Sequence, residues 1–364
     1  MRYVDLYNKI SILGPEAKYD TCGPKDLGET TNIPGVYNAK VAGGNVCRLF
    51  KVLQTNACKN NCNYCALRRD RDVERVFATP DEMASAFYKV YSRRLVDGFF
   101  LSSGVVNDSV TTMSRMIDTV RIVRERYKYT GYVHMKIMPG TPENCLDEVL
   151  DVSNRVSLNI ESPTQEELSE LSPDKNLEVG FFETLNLIRE KILCRQNIGK
   201  KVPSLTTQFV IGAGSEKDIN VVKSTKYLYD EYNLKRVFYS AFRPVPDTPL
   251  EDKPEESITR AYRLYQTDFL MRFYEFKPED FTFDSSGRLI QEEDPKLVWA
   301  KKHPEVFPMN VNRAKYYELL KIPGVGPESA KKIIKARGLS AIKSLDVFSG
   351  MRIQKEKMKS FVSF

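Results

Sequence analysis

Residues 49–69 read LFKVLQTNACKNNCNYCALRR, and this stretch decides the fold. Leu49–Leu53 has the length and composition of a strand. The loop directly after it carries Cys58, Cys62 and Cys65 in a C-x3-C-x2-C spacing. In a barrel-like sheet that loop lies at the C-terminal mouth, where reactive chemistry is built. Three thiolates this close repel one another, so something cationic is expected to hold them. Structural zinc wants four ligands. No fourth Cys or His lies nearby in sequence, and the chain's histidines are His134 and His303. An iron–sulfur cube usually takes one thiolate per iron. Three cysteines then leave one iron open to a substrate or cofactor. The rival reading is a closed zinc site, with Cys22 or Cys47 as the fourth ligand.

Outward from this loop, strand-like and helical runs alternate. Strands are predicted at Leu49–Leu53, Gly98–Leu101, Tyr132–Met138, Arg155–Ile160, Thr206–Ile211 and Arg236–Ala241. Helices are predicted from Pro80 to Arg94, Thr111 to Tyr127, onward from Thr141, and over Glu178–Leu193, Lys217–Tyr232 and Glu255–Tyr274. Thr79-Pro80-Asp81-Glu82 has the form of a capping box with Pro at the first helical position. Six strand–helix units in series imply a parallel sheet with right-handed crossovers. Six are too few for a closed eight-stranded barrel, so the expected fold is α/β, a partial (β/α)6 barrel over residues 49–275. Residues 1–48 read as irregular. Residues 276–309 read as a linker with a short helix near Asp294–Lys302, and residues 310–364 as a separate module.

The chain has 364 residues, 41% hydrophobic and 28% charged, a globular composition that excludes disordered, collagen-like and coiled-coil classes. The first residues, MRYVDLYNKISILG, lack the apolar core of a secretory signal. No apolar run reaches about 18 residues, so no membrane partner is expected. Seven cysteines, an odd number, argue against a disulfide framework and for the reducing cytoplasm. The net charge of +7 is unevenly spread. Residues 310–364 hold twelve Lys and Arg against four Asp and Glu, while the rest is close to balanced. Such a step suggests a module that meets a polyanion.

That tail contains Tyr317–Lys321, then Ile322-Pro323-Gly324-Val325-Gly326-Pro327, then a second helical run through Arg337. It reads as helix, tight glycine turn, helix. Gly324 and Gly326 would let the backbone approach a phosphate, the second helix would aim its N-terminal N–H groups at it, and Lys331, Lys332 and Lys335 would add charge. Contacts of this kind hold a nucleic-acid backbone without reading bases. An ordinary helical hairpin is the alternative.

The cysteine spacing, with Tyr64 before the last Cys, resembles the radical S-adenosylmethionine superfamily. The resemblance implies a 4Fe-4S cluster on Cys58, Cys62 and Cys65. Its open iron would chelate S-adenosylmethionine, and cleavage would yield a 5′-deoxyadenosyl radical. The resemblance also suggests cofactor contacts at successive strand ends. Ser102-Ser103-Gly104 stands where relatives bind the methionyl amine, without their acidic residue. Asn159 and Glu161 stand where relatives hold the ribose or the amino acid. Gly212-Ala213-Gly214 resembles a glycine motif beside adenine. The run from Ala241 to Leu250, with Arg243, resembles a Pro-rich ending also near adenine. On the third strand Tyr132, His134 and Lys136 share one face. His134 and Lys136 are candidates to meet a polar substrate, although a satisfied core histidine reads equally well. Arg68, Arg69 and Arg71 could face phosphates or simply be solvated.

Taken nearly end to end, the chain resembles a radical S-adenosylmethionine subfamily named for DNA modification or repair. That subfamily is linked genomically to a uracil-DNA glycosylase-like partner. The resemblance rests on KYDTC around Cys22, the cysteine stretch, GFFLSSGV, GYVHMKIMPGTP, RVSLNIESP, TTQFVIGAG, LKRVFYSAFRPV, HPEVFP and the terminal helix-hairpin-helix. It implies a nucleic-acid substrate, DNA in the first place, together with a glycosylase-like protein and an electron donor. It supplies no reaction. Two other functions are weighed: a biotin-synthase-like radical enzyme on a small molecule, and a non-enzymatic, metal-stabilised nucleic-acid-binding protein.

Overall fold

The six predicted strands pair side by side as one parallel sheet. The structure, a computed structural model, describes residues 3–20, 33–40, 45–349 and 354–364. Cys22 lies outside the described residues. The elements run α1 (Tyr3–Glu16), β1 (Val36–Lys40), β2 (Val46–Leu53), α2 (Pro80–Ser92), β3 (Gly98–Ser102), α3 (Ser109–Glu125), β4 (Tyr132–Lys136) and α4 (Glu143–Val152). They continue with β5 (Arg155–Ser157), α5 (Gln165–Leu171), α6 (Phe181–Asn197), β6 (Ser204–Ile211), α7 (Asp218–Tyr232), β7 (Arg236–Ala241) and α8 (Ile258–Phe273). The C-terminal elements are α9 (Pro295–Lys302), β8 (Met309–Asn310), α10 (Tyr316–Lys321), α11 (Pro327–Leu339), α12 (Lys355–Met358) and β9 (Val362–Ser363).

The large sheet has the order β1-β2-β3-β4-β5-β6-β7. Strands β2 to β7 are parallel, and β1 is antiparallel on the edge beside β2. It forms an open half-barrel rather than a closed ring. Its helix-side face is apolar. Phe50 stacks on Phe99, and both meet Phe87 of α2. Burial of such rings, at roughly 25 cal/mol per Å² of apolar surface, holds the helices on the sheet. The predicted capping box starts α2: Glu82 N–H donates to Thr79 Oγ1, and Thr79 N–H donates to Glu82 Oε2.

Two sequence expectations need correction. Residues 1–48 are not simply irregular. They hold α1, whose Ile10 and Leu13 are buried, and the edge strand β1. Gly14, Pro15, Pro34 and Gly35 punctuate this region and obscure the pattern. Residues 276–309 are not a bare linker. The chain falls into two compact units, Met1–Glu216 with Tyr227–Ser257, and Lys217–Lys226 with Ile258–Phe364. The second unit therefore begins before the expected boundary at residue 275. Its core explains why: Trp299 packs edge-on against Phe276, and Lys321 of α10 lies over both rings. Buried Arg260 also pairs with Asp218 at 2.9 Å inside this unit. Among the described residues, no helix is long and apolar enough to cross a membrane.

Candidate cluster and cofactor site

The cysteine loop is built on backbone carbonyls and one guanidinium. Arg75 donates to the carbonyls of Asn56, Leu67, Arg68 and Arg71 at 2.7, 3.1, 2.5 and 2.8 Å. Asn56 is fully buried, and its side chain bridges Glu74 O and Val76 N. A short hydrogen-bonded turn joins Cys65 N to Cys62 O. Gly104 at the end of β3 lets the loop pass close by. A Cβ there would lie 2.2 Å from Ala57 O and 3.3 Å from Cys58 Cβ. Gly104 N–H donates to Thr55 O, and Lys59 N–H to Val105 O, so β3 and the loop are stitched together.

A second loop, after α5, clasps the first. Asn63 N–H donates to Leu171 O, Asn61 N–H to Asp174 Oδ2, and Cys62 Sγ lies 3.1 Å from Ser172 Oγ. This loop brings Lys175, which the sequence reading missed. Lys175 Nζ lies 3.6 Å from Glu161 Oε1. The nearby thiols and Glu161 raise its proton affinity against the opposing effect of burial. Burial comes first in pushing the Cys65 thiol up to about 12, and the Cys62 and Cys58 thiols add to it. Three thiols on one short loop, Cys62 buried and Cys58 and Cys65 partly so, beside the Lys175 ammonium, are a donor set that suits a bound cationic group. A three-thiolate cluster fits it.

The zinc alternative with Cys47 as fourth ligand fits less well; with Cys22 it falls on a residue outside the described ones. Cys47 sits at the start of β2, while the cysteine loop follows its end. Six residues of strand at ~3.3 Å each separate them by roughly 20 Å. Among the described residues, no three His, Cys, Asp or Glu side chains, the loop cysteines included, converge on one ion position as they stand, so the choice between zinc and a cluster rests on the donor set.

Several predicted residues gather around the loop. Tyr64 lies near Glu161, and burial first, then that carboxylate, raise its phenol well above the usual range. Glu161 is buried with φ 65°, a conformation sparsely used by side chains other than Asn, Asp and Gly. Asn159 is also buried. Tyr64 and Leu250 pack on an apolar group of Leu171, Val210, Ala213 and Phe242. The ends of β6 and β7 thus supply an apolar wall beside the third cysteine. Ser102 and Ser103 are buried, and Ser103 Oγ donates to Gly104 O.

Other positions have different work from that expected. Gly212 has φ 89°, and a Cβ there would lie 2.4 Å from Glu256 Cβ. At Gly214 it would lie 2.6 Å from Leu171 Cδ1. The close approach these glycines allow is therefore to the chain itself, and Glu216 accepts from both of their N–H groups. Arg243 is exposed and pairs with Glu255 at 3.1 Å. Arg69 pairs with Asp70, and Arg71 donates to Pro246 O and Ala66 O. Arg68 is buried, and its Nη1 has no hydrogen-bond partner among the described residues. His134 is buried with Nε2 2.9 Å from Ser157 Oγ, and Lys136 pairs with Asp20.

In the C-terminal unit, α10 and α11 flank the glycine turn as predicted. Lys331, Lys332 and Lys335 are exposed, Lys331 alongside Glu328 at 3.1 Å. The reason for Gly324 differs from the expected phosphate approach. It has φ 82°, and a Cβ there would lie 2.8 Å from Gln354 O. A Cβ on Gly326 would lie 3.3 Å from Tyr274 Oη.

No family model matches the chain. A curated relative, 7,8-didemethyl-8-hydroxy-5-deazariboflavin synthase of Methanosarcina barkeri, is 25% identical over 270 residues, 68% of this chain and 74% of that protein. Among solved structures, a radical SAM methyltransferase from Sphaerobacter thermophilus aligns at TM-score 0.48 and 14% identity, over 67% of this chain and 73% of that one. The FeFe-hydrogenase maturase HydG from Carboxydothermus hydrogenoformans aligns at 0.45 and 16%, over 60% of this chain, which spans 50% of the maturase. The three-cysteine loop follows β2, the first parallel strand of the sheet, and is tied to the end of β3 and to the loop after α5.

Proposed function

We propose that this chain is a radical S-adenosylmethionine enzyme, with a 4Fe-4S cluster and S-adenosylmethionine as cofactors, and that it modifies or repairs nucleic acid, DNA in the first place, working in the cytoplasm with an electron donor and a uracil-DNA glycosylase-like protein. The observation that carries the reading is the trio Lys331, Lys332 and Lys335. They stand exposed on α11, directly after the glycine turn, in the strongly basic tail. Such a surface neutralises phosphates and releases counterions.

When bound, the cofactors supply a 5′-deoxyadenosyl radical that takes a hydrogen atom from the substrate. Cys58, Cys62 and Cys65 hold the cluster. Ser102, Ser103, Asn159 and Glu161 present polar groups toward S-adenosylmethionine at the strand ends. Tyr64, Val210, Ala213 and Phe242 offer adenine an apolar wall. Lys175 pairs with the Glu161 carboxylate and offsets the negative charge of the thiolates.

A second reading, action on a small molecule, draws support from the relative in Methanosarcina barkeri, named as the synthase of a deazariboflavin. One labelling experiment separates the two. The reduced, reconstituted enzyme is incubated with unlabelled S-adenosylmethionine and deuterated DNA or RNA oligonucleotides. Deuterium in 5′-deoxyadenosine supports the nucleic-acid reading. Label arriving only from a deuterated small-molecule pool would overturn it.

A further inference from the structure

The inner face of the half-barrel holds charge that the cofactor site leaves unused. Strand register pairs Lys51 with Phe100, Phe100 with His134, and His134 with Arg155. Residues paired in this way share a face of the sheet, and Lys136, two along from His134, shares it too. Phe50 and Phe99 are on the opposite, helix-covered face. Strands β2 to β7 contain no Asp or Glu. Lys51 is only 1% exposed, with its Nζ 4.4 Å from the Tyr37 ring centre. A buried ammonium is costly without a counter-charge.

That counter-charge is delivered from outside the sheet. Lys51 Nζ donates to Asp20 O at 2.5 Å, and Lys136 forms an ion pair with the Asp20 carboxylate. Gln208 on β6 donates to Tyr19 O at 3.3 Å. The turn after α1 thus reaches β2, β4 and β6 at once. Among the described residues, the one carboxylate paired with these two lysines is Asp20, on Lys136, while Lys51 is met by the Asp20 carbonyl; Arg155, on the same face, donates to Ser204 Oγ. The positive charge of this face is felt by His134, whose proton affinity falls well below the usual range through burial first and then through Arg155, Lys136 and Lys51.

We propose that this inner face binds a phosphate-class oxyanion of the substrate through Lys51 and Lys136, and that the Asp20 carboxylate is a built-in stand-in that yields its place on binding. Phosphate suits the site better than a second carboxylate. It brings up to two negative charges to the two ammonium groups left once Asp20 has yielded, and lysine is a ready point-charge partner for it. The proposal rests on the reading of the chain as an enzyme of nucleic acid and deepens it, since each nucleotide carries such a group. A free phosphorylated metabolite carries the same chemistry.

The test measures binding to the full-length, anaerobically reconstituted enzyme by calorimetry. The probes are inorganic phosphate, a 5′-mononucleotide and a short single-stranded oligonucleotide. Asp20→Asn should tighten phosphate binding about tenfold, and Lys136→Gln should weaken it at least about tenfold, as expected for one unit charge at close range. Asp118→Asn on the exposed face of α3 makes the same change in net charge and should leave affinity unaltered. Should Lys136→Gln fail to fold, the Asp20 comparison decides. An Asp20→Asn affinity within twofold of the parent, or an equal gain in Asp118→Asn, overturns the proposal. A gain with phosphate and mononucleotide but not with the oligonucleotide supports the anion site and turns its ligand toward a small phosphorylated molecule, against the nucleic-acid reading. Oligonucleotide binding that depends on Lys331, Lys332 and Lys335, with no probe responding to Asp20, overturns the anion site and leaves that reading standing.

Discussion

Arg75→Met should collapse the cysteine loop although it removes no cluster ligand. One guanidinium serves four carbonyls in the wild-type chain. Leu67 and Arg71 are half-buried, so their carbonyls can turn to water. Asn56 and Arg68 are buried; Arg68 O keeps the Arg71 N–H at 3.3 Å, so the Asn56 carbonyl is the one that would be stranded. At ~1–3 kcal/mol for an unsatisfied buried group, the variant loses about 1–3 kcal/mol, against a domain stability of roughly 5–15 kcal/mol. The loop should open before the sheet unfolds, because the loss is confined to residues 56–71. Arg75→Lys should rescue only partly, since a single ammonium cannot span four carbonyls. The assay is iron content after anaerobic reconstitution, with the urea midpoint of the iron-free protein alongside. Full iron loading and an unchanged midpoint in Arg75→Met would refute the reasoning.

Cys58→Ala, Cys62→Ala or Cys65→Ala should abolish iron binding and cofactor cleavage, whereas Cys145→Ala on α4 and Cys194→Ala on α6 should keep both. Asn159→Ala and Glu161→Gln should weaken S-adenosylmethionine binding by roughly 1–3 kcal/mol at unchanged iron content, and equal affinity would show them to be strand-end polar groups alone. Lys331, Lys332 and Lys335 changed together to Ala should lower oligonucleotide affinity and flatten its salt dependence. Neither deletion of residues 310–364 nor Gly324→Val is a clean alternative, since the first removes buried Leu319, Leu320 and Ile322 and the second drives a side chain into Gln354 O. Burial lowers the Lys296 ammonium from 10.5 to about 7, with Asp294 opposing, and its Nζ donates to Val325 O. Between pH 7 and 10.5 the unfolded chain holds a proton that the folded chain has lost, so stability should rise with pH there by up to ~1.4 kcal/mol per unit. Lys296→Met should remove that slope, read from the fluorescence of Trp299, the chain's single tryptophan.

The six parallel strands and the cysteine loop were legible because their causes are local. Alternating strand and helix signals, the Thr79–Glu82 cap and three closely spaced cysteines each act over a few residues of chain. The apolar stripes of the helices then leave one arrangement, a sheet covered on one face. Edge strand β1 was not legible, because its pairing partner β2 and the Gly–Pro turns before it decide its state. The core role of residues 276–309 also escaped notice. Phe276, Trp299 and Lys321 meet only after folding, and no periodicity joins them.

The candidate site divides along the same line. By itself the sequence determined the three thiols, their place after the first parallel strand, and the polar residues at strand ends, since strand order and period place them at one mouth. Tertiary structure alone decided that Lys175 and Ser172 join the thiols, that Arg75 holds the loop, that Gly212 and Gly324 make room for the chain itself, and that Asp20 faces Lys136. The physical reason is range. A metal-ligand spacing is written within eight residues, whereas an ion pair between residues 20 and 136 depends on burial and field, which exist only once the sheet has formed.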